Sequence, residues 1–202
     1  MTIQNVKNDQ FWLKIVIMLK IYVFILGFIA WFGGFAQPQS ASDVKPLSIG
    51  DSIPSVSIKD LESNVVGLRE IIKNKTAIII FFRGGWCPFC NTHLSNLQEI
   101  TRRLKKRDVP IVAISGEGVE SSKQTKEKNS LSYQLYSDTN LDAASSFHVA
   151  FLQNGNWKLP VPSVFIADKN GIIRFVHFDP NYQVRMDAEE ILLKVDEIIK
   201  LK

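Results

Sequence analysis

Cysteine is scarce in this chain of 202 residues: there are two, Cys87 and Cys90, with two residues between them. A protein stapled by disulfides would carry more of them, further apart. Closing so short a loop adds only about 2 kcal/mol in the chain-entropy picture, before strain. A purely structural bridge is therefore poorly motivated. Histidine is limited to three, and charge is close to balanced, 24 Lys and Arg against 20 Asp and Glu for a net +4. No stripe of Lys and Arg interleaved with aromatics runs through the chain, so nucleic acid is not the expected partner. Internal repeats, low-complexity tracts and any nucleotide, flavin or haem motif are also missing. Acidic pairs fall only on polar stretches, which argues against a general acid–base site. With no cofactor expected, electrons for any redox step must come from a partner protein or a small thiol.

What the chain does have begins with an apolar run over residues 15–36, interrupted by one charge, Lys20, and preceded by Lys7 and Lys14 against a single Asp9. Two readings compete. A signal peptide would place its apolar region at 21–35 and its cleavage site at Gly34-Phe35-Ala36. A membrane anchor would use the whole run, with Lys20 snorkelling to the interface. The basic flank gives the same orientation either way, placing everything after Ala36 outside the cytoplasm. A leader that reaches Lys20 before its apolar region is long for a signal peptide, which favours an uncleaved anchor. Residues 37–45, rich in Gln, Pro, Ser and Asp, read as a tether with little to bury, and the domain proper is expected over 46–202.

Within that domain the pattern alternates. Residues 53–58 follow a proline with polar–apolar alternation, an edge-strand signal, and a hairpin turn leads back through Val65 and Val66. Residues 77–82 form an unbroken β-branched and aromatic run, as in a strand covered on both faces. A helix follows from Cys87 to Arg107 with Leu94, Leu97, Ile100 and Leu104 on one stripe. Its cationic end, Arg102 to Arg107, needs only the helix dipole and solvent to explain it. Strands at 109–115, 133–137 and 161–167, a polar helix at 119–128, a helix at 140–147 capped by Asp138, a loop through Gly155 and Trp157, a turn at Asp168 to Gly171 with a returning strand, and a last amphipathic helix at 186–200 complete the order. Strands separated by helices imply an α/β fold: a three-layer sandwich around a mostly parallel sheet, with an N-terminal hairpin added.

The stretch Phe81-Phe82-Arg83-Gly84-Gly85-Trp86-Cys87-Pro88-Phe89-Cys90 carries the chemistry. A strand delivers Cys87 to a helix N-terminus, where unpaired N–H groups and the dipole favour thiolate over thiol, and the thiolate is the nucleophile. Pro88 suits the first helical position. Cys90, one turn on, is expected to be the more buried thiol and to attack a mixed product formed at Cys87. Gly84 and Gly85 allow a sharp turn that leaves the sulfur open, and Trp86 supplies an apolar rim.

Trp-Cys-Pro-Phe-Cys at a strand-to-helix turn resembles the thioredoxin fold. The wider pattern resembles the redoxin superfamily, in its alkyl hydroperoxide reductase/thiol-specific antioxidant, peroxiredoxin-like, branch. Tyr-Ser-Asp-Thr-Asn from Tyr136, Val-Pro-Ser-Val-Phe-Ile-Ala-Asp-Lys-Asn-Gly from Val161, and Asp-Pro-Asn-Tyr from Asp179 carry the likeness over about 46–200. The resemblance implies that Pro162 follows a cis bond and faces the active cysteine, with Val161 offering its backbone to substrate. It also implies hydroperoxide reduction with a thioredoxin-like or other dithiol donor. One departure matters: peroxiredoxins place Thr or Ser three residues before their cysteine, whereas Gly84 precedes Cys87 at that spacing and Cys87 precedes Cys90. Arg83 and Arg185 are the cations available to such a reaction.

The expectation is thus an extracytoplasmic thiol oxidoreductase in which Cys87 reacts with a hydroperoxide, Cys90 resolves the product, and Trp86, Arg83, Val161 and Pro162 position the substrate. An exchanger of protein disulfides is the alternative. A copper- or thiol-binding chaperone without turnover is a second, although Cys87, Cys90 and His93 supply only three ligands with poor geometry for one metal. His148 and His177 read as structural.

Overall fold

In the computed structural model of the chain, residues 17–20 and 37–200 are described, and a compact unit begins at Gln37. The expected apolar span at 15–36 lies outside the described residues except for 17–20. Among the described residues no helix is long and apolar enough to cross a membrane.

A seven-stranded sheet forms the middle layer. Its strands are β1 (Ser57–Lys59), β2 (Val65–Gly67), β3 (Ala77–Phe82), β4 (Ile111–Ser115), β5 (Gln134–Ser137), β8 (Ser163–Ala167) and β9 (Ile173–Phe178), in the order β2-β1-β5-β4-β3-β8-β9. Between β5 and β8 the chain makes a separate hairpin, β6 (Ala150–Gln153) and β7 (Trp157–Pro160). Five helices complete the unit: α1 (Leu68–Ile71), α2 (Pro88–Lys106), α3 (Val119–Lys128), α4 (Asp142–Ser146) and α5 (Ala188–Lys200).

β3 is buried at all six positions, and its alternation divides the core. Ile78, Ile80 and Phe82 point into a cluster with Leu94, Leu97 and Ile100 of α2 and Ile191 and Val195 of α5. Ile79 and Phe81 point the other way, against Leu68 of α1, Ala143 and Ala144 of α4, and Phe147 and Phe165, whose rings meet at tilted or edge-on angles with centroids about 5.0 Å apart. The β3–β4 and β4–β5 pairs are parallel and step in one direction across the sheet. Right-handed crossovers therefore put both connecting helices on one face. Asn129, just past α3, fixes that arrangement by donating to Asn91 of α2 and accepting from Ser95.

Three expectations need correction. The sheet is mixed rather than mostly parallel: β1–β2, β1–β5, β3–β8 and β8–β9 are antiparallel, because the N-terminal hairpin joins the same sheet and the chain enters β8 from the hairpin side. β1 consequently lies second from the edge, and β2 takes the edge. The expected loop through Gly155 and Trp157 is the β6–β7 hairpin. Residues 37–45 are not a free tether, since Pro38 accepts from the Leu152 amide of β6 and Val44 is buried against Phe151, Leu159 and Val161.

Candidate functional site: a buried dithiol at the start of α2

Cys87 is the N-cap of α2 and Pro88 its first residue, so the only backbone amide lost to proline is one the helix would leave unpaired. The Cys87 carbonyl accepts from the amides of Cys90 and Asn91, and the Cys87 amide donates to Gly84. Both cysteines carry free thiols.

The turn feeding Cys87 is set by two glycines for two different reasons. Gly84 has φ +147°, and a Cβ there would lie 2.4 Å from Trp86 Nε1. At Gly85 the backbone angle is ordinary, but a Cβ would meet Thr125 Oγ1 at 1.8 Å. The glycines thus admit neighbours, and do not leave the sulfur open as the sequence suggested: Cys87 is only 1% exposed and Cys90 0%. The expected contrast in burial is absent, and the two thiols differ instead in what they touch.

Arg185 Nη2 donates to Cys90 Sγ at 3.3 Å. Burial pushes the Cys90 thiol up, its hydrogen bond to Cys87 and the charge of Cys87 push the same way, and Arg185 and the Arg83 backbone pull it down more weakly. Cys90 therefore holds its proton. On the loop after β4, Glu117 accepts from the Gly85 amide at 2.8 Å. Its carboxyl is raised by burial, opposed by the bonds from Gly85 and Thr125. Asn91 donates to the Gly85 carbonyl at 2.7 Å, so the amide and the carbonyl of Gly85 are both held.

Around the thiols stands an aromatic rim. Trp86, 47% exposed, stacks on Trp157 of β7 with centroids 5.3 Å apart, and Phe89 meets Tyr182 edge-on at 5.8 Å. Arg83, 8% exposed, lies between two of these rings, 4.9 Å from the centre of Trp86 and 4.6 Å from that of Tyr182. Arg185 also donates to the Tyr182 carbonyl at 2.5 Å, so Tyr182 links the two guanidinium groups.

Pro162 lines a cavity with Arg83 and Tyr182, but two implied features differ. No cis peptide is present among the described residues, so Pro162 follows a trans bond. Val161 is buried and its amide is taken by the Val149 carbonyl at 2.8 Å, because the β6–β7 hairpin folds back there. His93 is buried on α2, with burial first and then Arg185 and His177 lowering it to about 4. Among the described residues no three His, Cys, Asp or Glu side chains group at metal-binding distances. Sequence reasoning missed Gln153, Glu117 and Trp157. The aromatic alternating with polar residues around Gly155 was the available signal for the last.

A dithiol spaced Cys-x-x-Cys at a strand-to-helix junction, on a sheet with this order, defines a thiol-based oxidoreductase of thioredoxin-like fold. The chain belongs to the AhpC/TSA family, whose model matches residues 49–176. It is 26% identical over 158 residues to peroxiredoxin Q, chloroplastic, of Suaeda salsa, covering 78% of this chain and 72% of that protein. It is likewise 26% identical over 179 residues to sporulation thiol-disulfide oxidoreductase A of Bacillus subtilis, covering 86% of this chain and 93% of that one. The fold matches the crystal structure of peroxidoxin BcpB from Mycobacterium tuberculosis with a TM-score of 0.67 at 15% identity, over 77% of this chain and 99% of the other.

Proposed function

We propose that the protein reduces hydroperoxides through Cys87, with Cys90 as the resolving thiol and thioredoxin or a similar dithiol as the donor. The Cys87 thiolate attacks one peroxide oxygen and the O–O bond breaks. The alkoxide leaves as an alcohol after taking a proton, and Cys87 becomes a sulfenic acid. Cys90 then attacks that sulfur, water departs, and a Cys87–Cys90 disulfide forms. The external dithiol returns both thiols by exchange. The observation that supports this reading best is the near-complete burial of both cysteines: a hydroperoxide needs a far smaller opening to reach Cys87 than a protein disulfide, which needs the thiol at the surface. Neither cysteine has a hydroxyl side chain three residues before it, and Arg185 at Cys90 Sγ supplies the nearby positive charge instead.

Exchange with protein disulfides is the second reading, favoured by the exposed rings of Trp86, Phe89, Trp157 and Tyr182 around the site. One assay separates them. The full-length chain, thioredoxin, its reductase and NADPH are mixed with hydroperoxide or with insulin, and NADPH loss is followed. Peroxide-dependent turnover that vanishes in Cys87→Ser is expected; no such turnover, with insulin-dependent NADPH loss raised above the thioredoxin-only background by wild type and not by Cys87→Ser, would replace the first reading by the second. The export and membrane tethering proposed for residues 1–36 rest on their basic and apolar pattern, and mass spectrometry of the mature N-terminus tests whether cleavage follows Ala36.

A further inference from the structure

Among the described residues Arg83 is a buried cation with no counter-charge. Among the described residues its guanidinium makes one hydrogen bond, from Nη2 to Gln153 Oε1 at 2.8 Å, while Nε is buried without an acceptor and no carboxylate pairs with it. Two aromatic faces hold it in place, but rings do not satisfy its donors. Charges are seldom buried unpaired, since desolvation is costly without compensation. Beside it lies a cavity of about 280 Å³, walled by Phe151, Pro162, Pro180 and Tyr182, with the neutral polar residues Gln39, Ser40, Gln153 and Asn154 also in its lining. Among the described residues that line it, Arg83 is the only charged one. One planar cation, whose guanidinium makes a single hydrogen bond among the described residues, suits a carboxylate, whereas a phosphate dianion would call for a second charge. Tyr182 connects this cavity to Arg185 and Cys90.

We propose that the cavity beside Arg83 receives the carboxylate of a small organic oxidant, so that the dithiol acts preferentially on carboxylate-bearing substrates. The oxidant's nature rests on the thiol-oxidoreductase reading; the carboxylate rests on the cavity.

Binding can be measured without turnover in the full-length Cys87→Ser/Cys90→Ser variant, from quenching of tryptophan fluorescence. Two matched pairs serve as probes: cumene hydroperoxide and its para-carboxylate, and hydroxyethyl disulfide and dithiodipropionate. The carboxylate member of at least one pair should bind about tenfold or more tightly, as expected for a charge-assisted hydrogen bond. Preference in the hydroperoxide pair names a hydroperoxide acid as the oxidant class, and preference in the disulfide pair names a disulfide acid. Arg83→Gln should bring the members of the preferred pair within about twofold of each other. Gln153→Glu should do the same while leaving Arg83 packed, because it places a carboxylate against the guanidinium. Equal binding within both pairs, or a preference that survives Gln153→Glu, overturns the proposal. Because no turnover is involved, failure of the NADPH assay leaves this result intact, and the reverse also holds.

Discussion

Acid should destabilise this protein through one imidazole. His93 sits on the buried face of α2, three residues beyond Cys90, and its Nε2 has no hydrogen-bond partner among the described residues. Burial, with the charges of Arg185 and His177 added, lowers it from 6.5 to about 4. The folded protein therefore keeps His93 neutral through a range in which the unfolded chain protonates it. Between pH 6.5 and about 4 the unfolded state binds more protons, so stability rises with pH there. The contribution is fully present above pH 6.5 and is lost as pH falls through that window. At 1.36 kcal/mol per pKa unit the whole effect is about 3 kcal/mol, and about 2 kcal/mol of it disappears between pH 7 and pH 4.5.

Urea unfolding of the reduced protein at these two pH values, compared with His93→Leu, isolates the effect. The carboxylates that titrate in the same range act in both proteins and cancel in the difference. Wild type should lose about 2 kcal/mol more than the variant on acidification. At pH 7 the variant should be as stable as wild type or more so, because an unpaired buried nitrogen is replaced by an apolar group of similar size. Parallel pH dependence in the two proteins would show that His93 is not held neutral by its surroundings, and would refute the reasoning.

Three other substitutions test the site and its support. Gly85→Ala should destabilise by about 1–3 kcal/mol through overpacking, and Thr125→Ala in the same chain should return part of that because the clash is with Thr125 Oγ1; strictly additive melting shifts would sink the argument. Asp138→Ala removes the acceptors of the buried Ala143 and Ala144 amides at 3.2 and 2.9 Å, so it should cost about 1–3 kcal/mol in chemical unfolding, and a neutral result would mean that α4 forms without its cap. Arg185→Met should slow formation of the Cys87–Cys90 disulfide, because it removes a cation that favours the Cys90 thiolate, and should slow the first reaction with peroxide less; stopped-flow tryptophan fluorescence resolves the two, and equal slowing would remove Arg185 from the resolving step.

The central strands and α2 were legible in the sequence because their signals are local: six consecutive buried positions over Ala77–Phe82, and a helical stripe behind a glycine turn. Strand direction was not. Whether β8 runs with or against β3 depends on how the chain returns from β5, and that return is the β6–β7 hairpin, whose residues alternate too briefly around Gly155 to announce it. The site divides along the same line. Cys87, Pro88 and Cys90 stand in one segment and declared themselves. Tyr182, Gln153 and Arg185 reach it from chain positions 63 to 98 residues away and meet only in the fold. Cys87's closure to solvent was equally hidden, since the space beside the two glycines is filled by Trp86, Glu117 and Thr125.

The surroundings of Cys90 also suggest how one pair of buried sulfurs keeps its steps in order. In the dithiol, burial acts first to hold the Cys90 proton, and the hydrogen bond to Cys87 and the charge on Cys87 add to it. The last two vanish once Cys87 is bonded to oxygen or to another sulfur, because that sulfur is then neither charged nor as good an acceptor. Burial remains, but so do the opposing pulls of Arg185 and of the Arg83 backbone. The first reaction thus removes part of what kept Cys90 inactive, and leaves in place the cation that favours its thiolate. On this reading Cys90 is a poor competitor for the oxidant before Cys87 reacts and a better nucleophile afterwards, without any movement of the backbone. Such an arrangement suits a site whose thiols are both enclosed, where the resolving step cannot rely on one cysteine being exposed and the other hidden.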